Sequence, residues 1–156
     1  MEKSKIIFKK KAIKAPSVLS EPVDYNKPVS FSRGVRINIK EGAFLFISGT
    51  ASIDNKGRTV FPGDFVAQTK RTFENLTALL GSEGASWNDV VKTTCYLKKM
   101  RYYDVFNKIR NQFYKQQELN LFPASTCIEA NLCRPDLLVE IELIAVQKFK
   151  KPNVHK

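Results

Sequence analysis

The chain has 156 residues, a formal net charge of +11 and 43% hydrophobic residues. This length favours a single domain that can bury a core of its own. No apolar run approaches the roughly 18 residues of a membrane-spanning helix, and the apolar patch at residues 6–8 is too short for a signal peptide. We therefore expect a cytoplasmic protein that does not associate with membranes.

The positive charge is concentrated at the two ends of the chain. Residues 1–14 carry six lysines and one glutamate and residues 148–156 carry four lysines, so only +2 remains for the body. We predict an extended basic N-terminal segment at residues 1–28, a domain at residues 29–147 and a basic C-terminal tail at residues 148–156. Lys-rich tails can contact nucleic-acid phosphates without sequence specificity, whereas the body shows no aromatic RNA-binding motif.

Cysteine and histidine usage excludes several kinds of site. The three cysteines lack a C-x-x-C spacing, which argues against a disulfide scaffold or a zinc site and fits a reducing compartment. The sole histidine, His155, lies in the C-terminal tail, so a Ser-His-Asp triad or a His-rich metal site is not expected. We predict no metal and no cofactor. Any chemistry has to rest on carboxylates, arginines, hydroxyls, thiols or backbone dipoles.

The predicted elements follow the order β-β-β-α-β-α-β-β. Strands are predicted from alternation or short apolar runs and helices from apolar spacings of three and four. The predicted strands are Phe31–Ile39, Ala43–Ser48, Thr59–Phe61, Val90–Leu97, Ser125–Ala130 and Leu137–Val146, and the helices span residues 64–82 and 102–117. Two helices on one face of a mixed sheet give an α+β fold. The uncovered face carries apolar residues, so we expect an oligomer.

The stretch from Pro123 to Gln147 carries the most informative residues. Glu140 and Glu142 are two positions apart and therefore point to the same face of the last strand. Either both lie on the solvent-facing side of an antiparallel strand, or one of them lines a cleft. The small residues from Gly49 onward mark another place where a backbone can approach a ligand.

An ordered set of segments within residues 29–147 resembles the RidA/YjgF family, which is often called endoribonuclease L-PSP or reactive intermediate/imine deaminase. The segments are FISGTASID (46–54), Gln68, ENL (74–76), VVKTTCYLK (90–98), Asn107, FPA (122–124) and LVEIELIAV (138–146). The resemblance implies a chorismate-mutase-like α+β fold. It also implies a homotrimer with three clefts between its subunits.

The resemblance assigns roles to individual residues of this chain. In the family, an arginine after the Pro-Ala pair binds the carboxylate of a 2-imino or 2-enamino acid, and Ser125 stands at that position here. Phe31 replaces a tyrosine that helps to line the cleft, whereas Asn107, Cys127 and Glu140 are kept. Glu140 would orient the attacking water, and the backbone around Cys127 would accept a hydrogen bond from that water. The chain is thus similar to a divergent subgroup without the arginine, whose activity is generally unassigned.

Two other arginines are candidates for the missing carboxylate clamp. Arg33 follows Phe31 by two residues on the same strand face, and Arg134 lies in the turn between the last two strands. Each is either a solvated charge or an anion-binding group, and we hypothesise that Arg33 is the relocated clamp. The Cys127 thiol is either a small buried filler or a nucleophile that has no histidine to activate it.

Three classes of function stay open. The first is a homotrimeric enzyme that hydrolyses an imine, an enamine or a related small carboxylate. SRGV, FISGTASID and CRPDLLVEIE are also similar to the RidA-like half of chorismatases, which hydrolyse a cyclic dicarboxylate. The second is a non-catalytic ligand-binding or regulatory protein, which Ser125 and Phe31 favour. The third is an endoribonuclease or translation inhibitor, and the lack of a histidine in the body argues against acid–base cleavage of RNA.

Overall fold

The computed structural model describes residues 9–27 and 29–149, which form one six-stranded sheet and two α-helices. The elements are β1 (Lys10–Ile13), β2 (Gly34–Ile39), β3 (Gly42–Ala51), α1 (Phe65–Ser82), β4 (Val90–Leu97), α2 (Tyr103–Gln116), β5 (Ala124–Glu129) and β6 (Val139–Lys148). The strand order is β1-β2-β3-β6-β4-β5. All neighbours are antiparallel except β4 and β5, which run parallel. The predicted mixed sheet and α+β class are confirmed.

The element order agrees with the prediction, but one of the first three strands was not expected and one expected strand is absent. Lys10–Ile13 pairs with β2 as an additional edge strand. Ile13 at the end of this strand and Leu19 in the loop that follows it are fully buried in the core. Thr59 takes part only in an isolated bridge, so the strand expected at Thr59–Phe61 is wrong. β1 was not predicted, because a strand of four residues, three of them exposed, is too short to show alternation.

Slightly less than half of the net charge at the two ends, +4 of +9, lies outside the described residues. This applies to residues 1–8 and 150–156, including His155, so the predicted contact of the tails with nucleic acid stays a prediction. Within the described part, Lys11 of β1 forms an ion pair of 3.1 Å with Glu83 at the end of α1. Part of the predicted N-terminal segment therefore packs on the domain, and the predicted domain boundaries at residues 28 and 147 stay untested.

The core lies between the helices and one face of the sheet. Val139, Ile141, Leu143 and Ala145 of β6 are at most 2% exposed, as their alternation predicted. Helix α1 packs over β3 and β6, and it begins after Asp64, whose side chain accepts a hydrogen bond from the Ala67 amide at 2.9 Å. No helix within the described residues is long and apolar enough to cross a membrane.

Two buried amide side chains fasten α1 to the loops around the site. Gln68 donates to Asp136 O and accepts from the Leu138 amide, each at 2.8 Å. Asn75 donates to Ala51 O at 2.9 Å. Leaving such buried backbone groups without a partner costs about 1–3 kcal/mol each. Both amides belong to segments that carry the family resemblance, so these segments have a structural role.

The opposite face of the sheet is apolar and carries no helix among the described residues. Its members alternate with the core residues on three neighbouring strands and are Val35, Ile37, Phe44, Phe46, Ile144 and Val146, which we call the open face. Phe44 and Phe46 are 36% and 41% exposed, and their ring centroids lie 6.3 Å apart. A contiguous exposed apolar patch of this kind marks an interaction surface.

Candidate functional site

A β-bulge in β3 forms one wall of the main cavity. Between Ile47 and Thr50 the register with β6 shifts, because three residue steps of β3 cover the same length as two of β6. Ile47 and Thr50 both face the core, which leaves Ser48 and Gly49 at the cavity. The Ser48 hydroxyl donates to Ser32 O at 2.7 Å and fixes the start of β2 beside the bulge.

The cavity has a volume of about 810 Å³. It is enclosed by the bulge, the segment before β2, the loop after β3 and the loop before β6. Five of the eight predicted site residues line it, and we call them the cavity cluster: Phe31, Arg33, Gly49, Arg134 and Glu140. Five cationic side chains and only two carboxylates line the whole cavity, so its charge favours an anionic ligand.

Glu140 places a half-buried carboxylate against Gly49. A Cβ atom at residue 49 would overlap Glu140 Oε1 and lie 2.9 Å from Cδ, so glycine is required for this close approach. Burial raises the pKa of the Glu140 carboxyl above its ordinary value, and the nearby Glu142 charge raises it further. A carboxyl with a raised pKa in a cavity is a candidate for proton transfer.

Arg33 is buried and engaged, so its interpretation as a solvated charge is wrong. Only 1% of the residue is exposed, and its Nε and Nη2 donate to Ser20 O at 2.9 and 2.6 Å. Nη2 also donates to the Tyr25 hydroxyl, and the Phe31 ring centroid lies 5.8 Å from the guanidinium carbon. These bonds hold the N-terminal segment and occupy Nε and both donors of Nη2, so only Nη1 is left and no free pair of nitrogens remains for a bidentate contact with a carboxylate. The role of Arg33 as a carboxylate clamp stays a prediction.

Tyr25 packs against both arginines of the cavity cluster. The guanidinium carbons of Arg33 and Arg134 lie 5.5 and 5.1 Å from its ring centroid. Arg134 also donates to Gly57 O at 2.8 Å, so it is neither fully solvated nor free. Tyr25 was not predicted as a site residue, because residues 1–28 were expected to be separate from the domain. The only signal is an isolated aromatic residue in a segment punctuated by prolines.

The other three predicted site residues lie at the far edge of the sheet. Ser125 and Cys127 are on β5, and Asn107 is on α2. Arg110 connects them, because its Nη1 donates to Ser125 Oγ at 3.1 Å and its Nη2 donates to Asn107 Oδ1 at 2.7 Å. We call these four residues the edge cluster. Arg110 was not predicted as a site residue, although its spacing of three from Asn107 places both on one helix face.

Two thiols adjoin the edge cluster. Burial raises the pKa of the Cys127 thiol, while the Arg110 charge and the Ile128 amide lower it in part. Cys95 on β4 is the backbone neighbour of Cys127 on β5, and both thiols are free. Burial raises the pKa of the Cys95 thiol to about 11. A thiol with a raised pKa is a weak nucleophile near neutral pH. The geometry thus favours a packing role for Cys127, and a catalytic role stays a prediction.

The two clusters lie on opposite faces of the sheet. Cys127 pairs with Cys95, which pairs with Ile141 on the core face, whereas Glu140 points to the other face of β6. One strand, β4, separates β6 from β5, so two spacings of about 4.8 Å place the backbones of Glu140 and Cys127 roughly 10 Å apart, and their side chains point to opposite faces. A single chain therefore cannot bring Glu140 and Cys127 to the same small ligand.

Comparison with known proteins agrees with this architecture. The family model described as endoribonuclease L-PSP matches residues 25–147. The chain belongs to the endoribonuclease L-PSP family, which includes the RidA/YjgF proteins. A RutC family protein of Pyrococcus abyssi is 36% identical over 110 residues, which cover 70% of this chain and 84% of that protein. A RutC family protein of Synechocystis is 35% identical over 109 residues, with 69% and 82% covered.

Solved structures of L-PSP family proteins have the same fold. A homologue of endoribonuclease L-PSP from Entamoeba histolytica is 30% identical with a TM-score of 0.68, and the match covers 88% of this chain and 98% of that one. The YjgF gene product of E. coli is 24% identical with a TM-score of 0.72, and 88% and 99% are covered. The predicted family and chorismate-mutase-like fold are confirmed.

Proposed function

We propose that this L-PSP family protein is a homotrimer whose inter-subunit clefts bind a small organic anion and hydrolyse an imine or enamine of a small carboxylate. The observation that carries this proposal is the half-buried Glu140 carboxylate beside Gly49, in a cavity with more cations than anions in its lining. Burial raises the pKa of the Glu140 carboxyl, which makes this carboxylate a stronger base than an ordinary one.

The separation of the two clusters supports the trimeric arrangement. Each chain has a cavity cluster and an edge cluster that cannot meet within that chain. Each chain also has an apolar open face that is available to a neighbouring copy. In a closed ring of three copies, the cavity cluster of one subunit and the edge cluster of the next can share a cleft.

The proposed reaction is the addition of water to an imine carbon. Glu140 orients the water and accepts its proton while the oxygen bonds to the carbon. The proton passes from Glu140 to the imine nitrogen as its π bond breaks, which gives a carbinolamine. The hydroxyl proton of the carbinolamine then passes to the amino nitrogen as the remaining carbon–nitrogen bond breaks, and ammonia and a 2-oxo acid are released. The cationic lining of the cavity attracts an anionic substrate to the cleft.

A non-catalytic ligand-binding protein is the second candidate, and two observations favour it. Ser125 stands where the resemblance implies a carboxylate-binding arginine, and burial raises the pKa of Cys127. In this case the clefts bind the same class of anion without releasing ammonia.

Ammonia release from freshly generated 2-iminobutyrate separates the two candidates. We expect the native protein to release ammonia and Glu140→Gln to lose at least about 100-fold in rate. Glu142→Gln is the matched control, because Glu142 lies on the same strand face and accepts a hydrogen bond from the Tyr96 hydroxyl at 3.2 Å, which an amide oxygen can also accept. Full activity of Glu140→Gln contradicts the proposed role of this carboxylate. Binding of 2-oxobutyrate without ammonia release favours the non-catalytic candidate.

A further inference from the structure

Arg110 carries a half-buried positive charge that no carboxylate of the described residues neutralises. Both of its hydrogen-bond acceptors are neutral oxygens, Asn107 Oδ1 at 2.7 Å and Ser125 Oγ at 3.1 Å. Its guanidinium carbon lies 5.3 Å from the ring centroid of Phe106, which is fully buried in the core. Partial removal of a charge from water is costly unless a counter-charge compensates for it. The surroundings of Arg110 therefore fit a negative charge that comes from outside these residues.

The guanidinium of Arg110 is held in place but keeps free donors. Arginine has five N–H donors in a planar fork, and the two contacts to Asn107 and Ser125 leave most of them available. The Phe106 ring supports one side of the fork. A fixed planar fork with free donors pairs well with a carboxylate, which it can bind in bidentate fashion. Arg33 differs, because its Nε and Nη2 are engaged with Ser20 O and Tyr25.

We propose that Arg110, projecting from helix α2, binds the carboxylate of a small 2-oxo or 2-imino acid at the edge cluster. Ser125 is exposed and small, and it leaves room beside β5 for the side chain from the helix. An arginine at residue 125 would place a second guanidinium against the first, so the two positions are alternative sources of one charged group. This inference rests on the proposed function, because it names the group that holds the anion in the cleft.

Calorimetric titration of the full-length protein with 2-oxobutyrate tests this inference, because this stable oxo acid has the carboxylate of the imino acid. We expect the dissociation constant to rise about 10- to 100-fold in Arg110→Gln, as for the loss of a charged hydrogen-bonded pair. Lys108→Gln is the matched control, because it removes the same charge from an exposed position on α2. We expect this control to bind 2-oxobutyrate as the native protein does.

A double variant distinguishes a binding role from a structural one. We expect Arg110→Gln with Ser125→Arg to recover most of the affinity for 2-oxobutyrate, because the guanidinium returns to the same place from β5. A general disturbance of α2 would not be rescued in this way. Native affinity in Arg110→Gln, or failure of the native protein to bind 2-oxobutyrate at millimolar concentration, overturns the inference. Ammonia release that depends on Glu140 but not on Arg110 would overturn it and leave the proposed function standing.

The reactivity of Cys127 provides a second readout. The Arg110 charge lowers the pKa of this thiol, so Arg110→Gln should raise that pKa and shift alkylation by iodoacetamide to higher pH. The measurement uses a Cys133→Ser background, because Cys133 is exposed. The remaining thiol, Cys95, is buried with a pKa of about 11, so it reacts little near neutral pH. An unchanged pH profile would show that the guanidinium does not lie beside Cys127, and this would overturn the inference.

Discussion

Arg33 of the cavity cluster and Arg110 of the edge cluster are both at least half-buried, yet they are bound in different ways. In the cavity cluster, Arg33 is 1% exposed, and its hydrogen bonds go to the N-terminal segment. In the edge cluster, Arg110 contacts only two neutral side-chain oxygens and keeps most of its donors. Residue type and burial alone would favour Arg33 as the anion-binding group. The number of donors that remain free favours Arg110.

The two clusters also differ in the charged group that they offer to a ligand. The cavity cluster provides Glu140, whose raised pKa suits it to handle a proton. The edge cluster contains no carboxylate and provides a positive charge instead. We infer that one region handles the water and the other holds the anion, so that neither is sufficient alone. This division of roles can be tested at the level of assembly, cleft, close contact and single charge.

The largest effect is expected where assembly itself is prevented. Phe46→Lys places a charge at the centre of the open face, so we expect the trimer to dissociate and the mass in solution to fall from three chains of 17.8 kDa to one. Light scattering after size-exclusion chromatography measures this change. Val66→Lys is the control, because Val66 is equally exposed at 41% but lies on α1. A trimer that survives Phe46→Lys would contradict the role of the open face.

Mixed trimers test whether one cleft uses two chains. In a pure trimer of Glu140→Gln every cleft lacks the proposed base. In a pure trimer of Arg110→Gln every cleft binds the substrate about 10- to 100-fold more weakly, so at a substrate concentration near the native dissociation constant it is nearly inactive as well. Co-expression at equal amounts should restore about one cleft in four, because random neighbours then supply an intact cavity cluster and an intact edge cluster. The ammonia-release rate of the purified mixture measures this restoration. A mixture that is no more active than the single variants would show that both clusters serve the same chain's cleft.

The face of β6 that carries Glu140 and the open-face residues could be predicted from the sequence, because alternation within one long strand is a local property. Val139 to Ala145 therefore gave the correct core face and left Glu140 on the other. Arg110 and Tyr25 could not be found in this way. Their roles depend on contacts with residues far along the chain or on a segment without periodicity, such as the contact of Arg110 with Ser125. The β3 bulge that exposes Gly49 also has no periodic signal.

A smaller effect is expected at the contact between Gly49 and Glu140. Gly49→Ala should displace the Glu140 carboxylate and reduce ammonia release about 10- to 100-fold, since catalytic groups depend on placement within about 1 Å. Stability should change little, because the atom that has to move is the far end of a flexible side chain. Gly81→Ala is the control: it meets no atom within 4 Å, and it should stabilise α1 by about 0.5–1 kcal/mol. Unchanged activity in Gly49→Ala would show that the reaction does not depend on the position of the Glu140 carboxylate.

The smallest effect is expected in the pH dependence of stability. Because the folded-state pKa of Glu140 is raised, the native protein loses stability as the pH rises through that pKa and the buried carboxyl ionises. Glu140→Gln cannot ionise, so its urea midpoint should exceed that of the native protein near pH 8. The difference should close towards about pH 4, where the native carboxyl is neutral. If the difference in urea midpoint between Glu140→Gln and the native protein instead widens at low pH, the folded state favours the ionised carboxylate. In that case Glu140 would act as a fixed negative charge in the cavity, and the water would need another base.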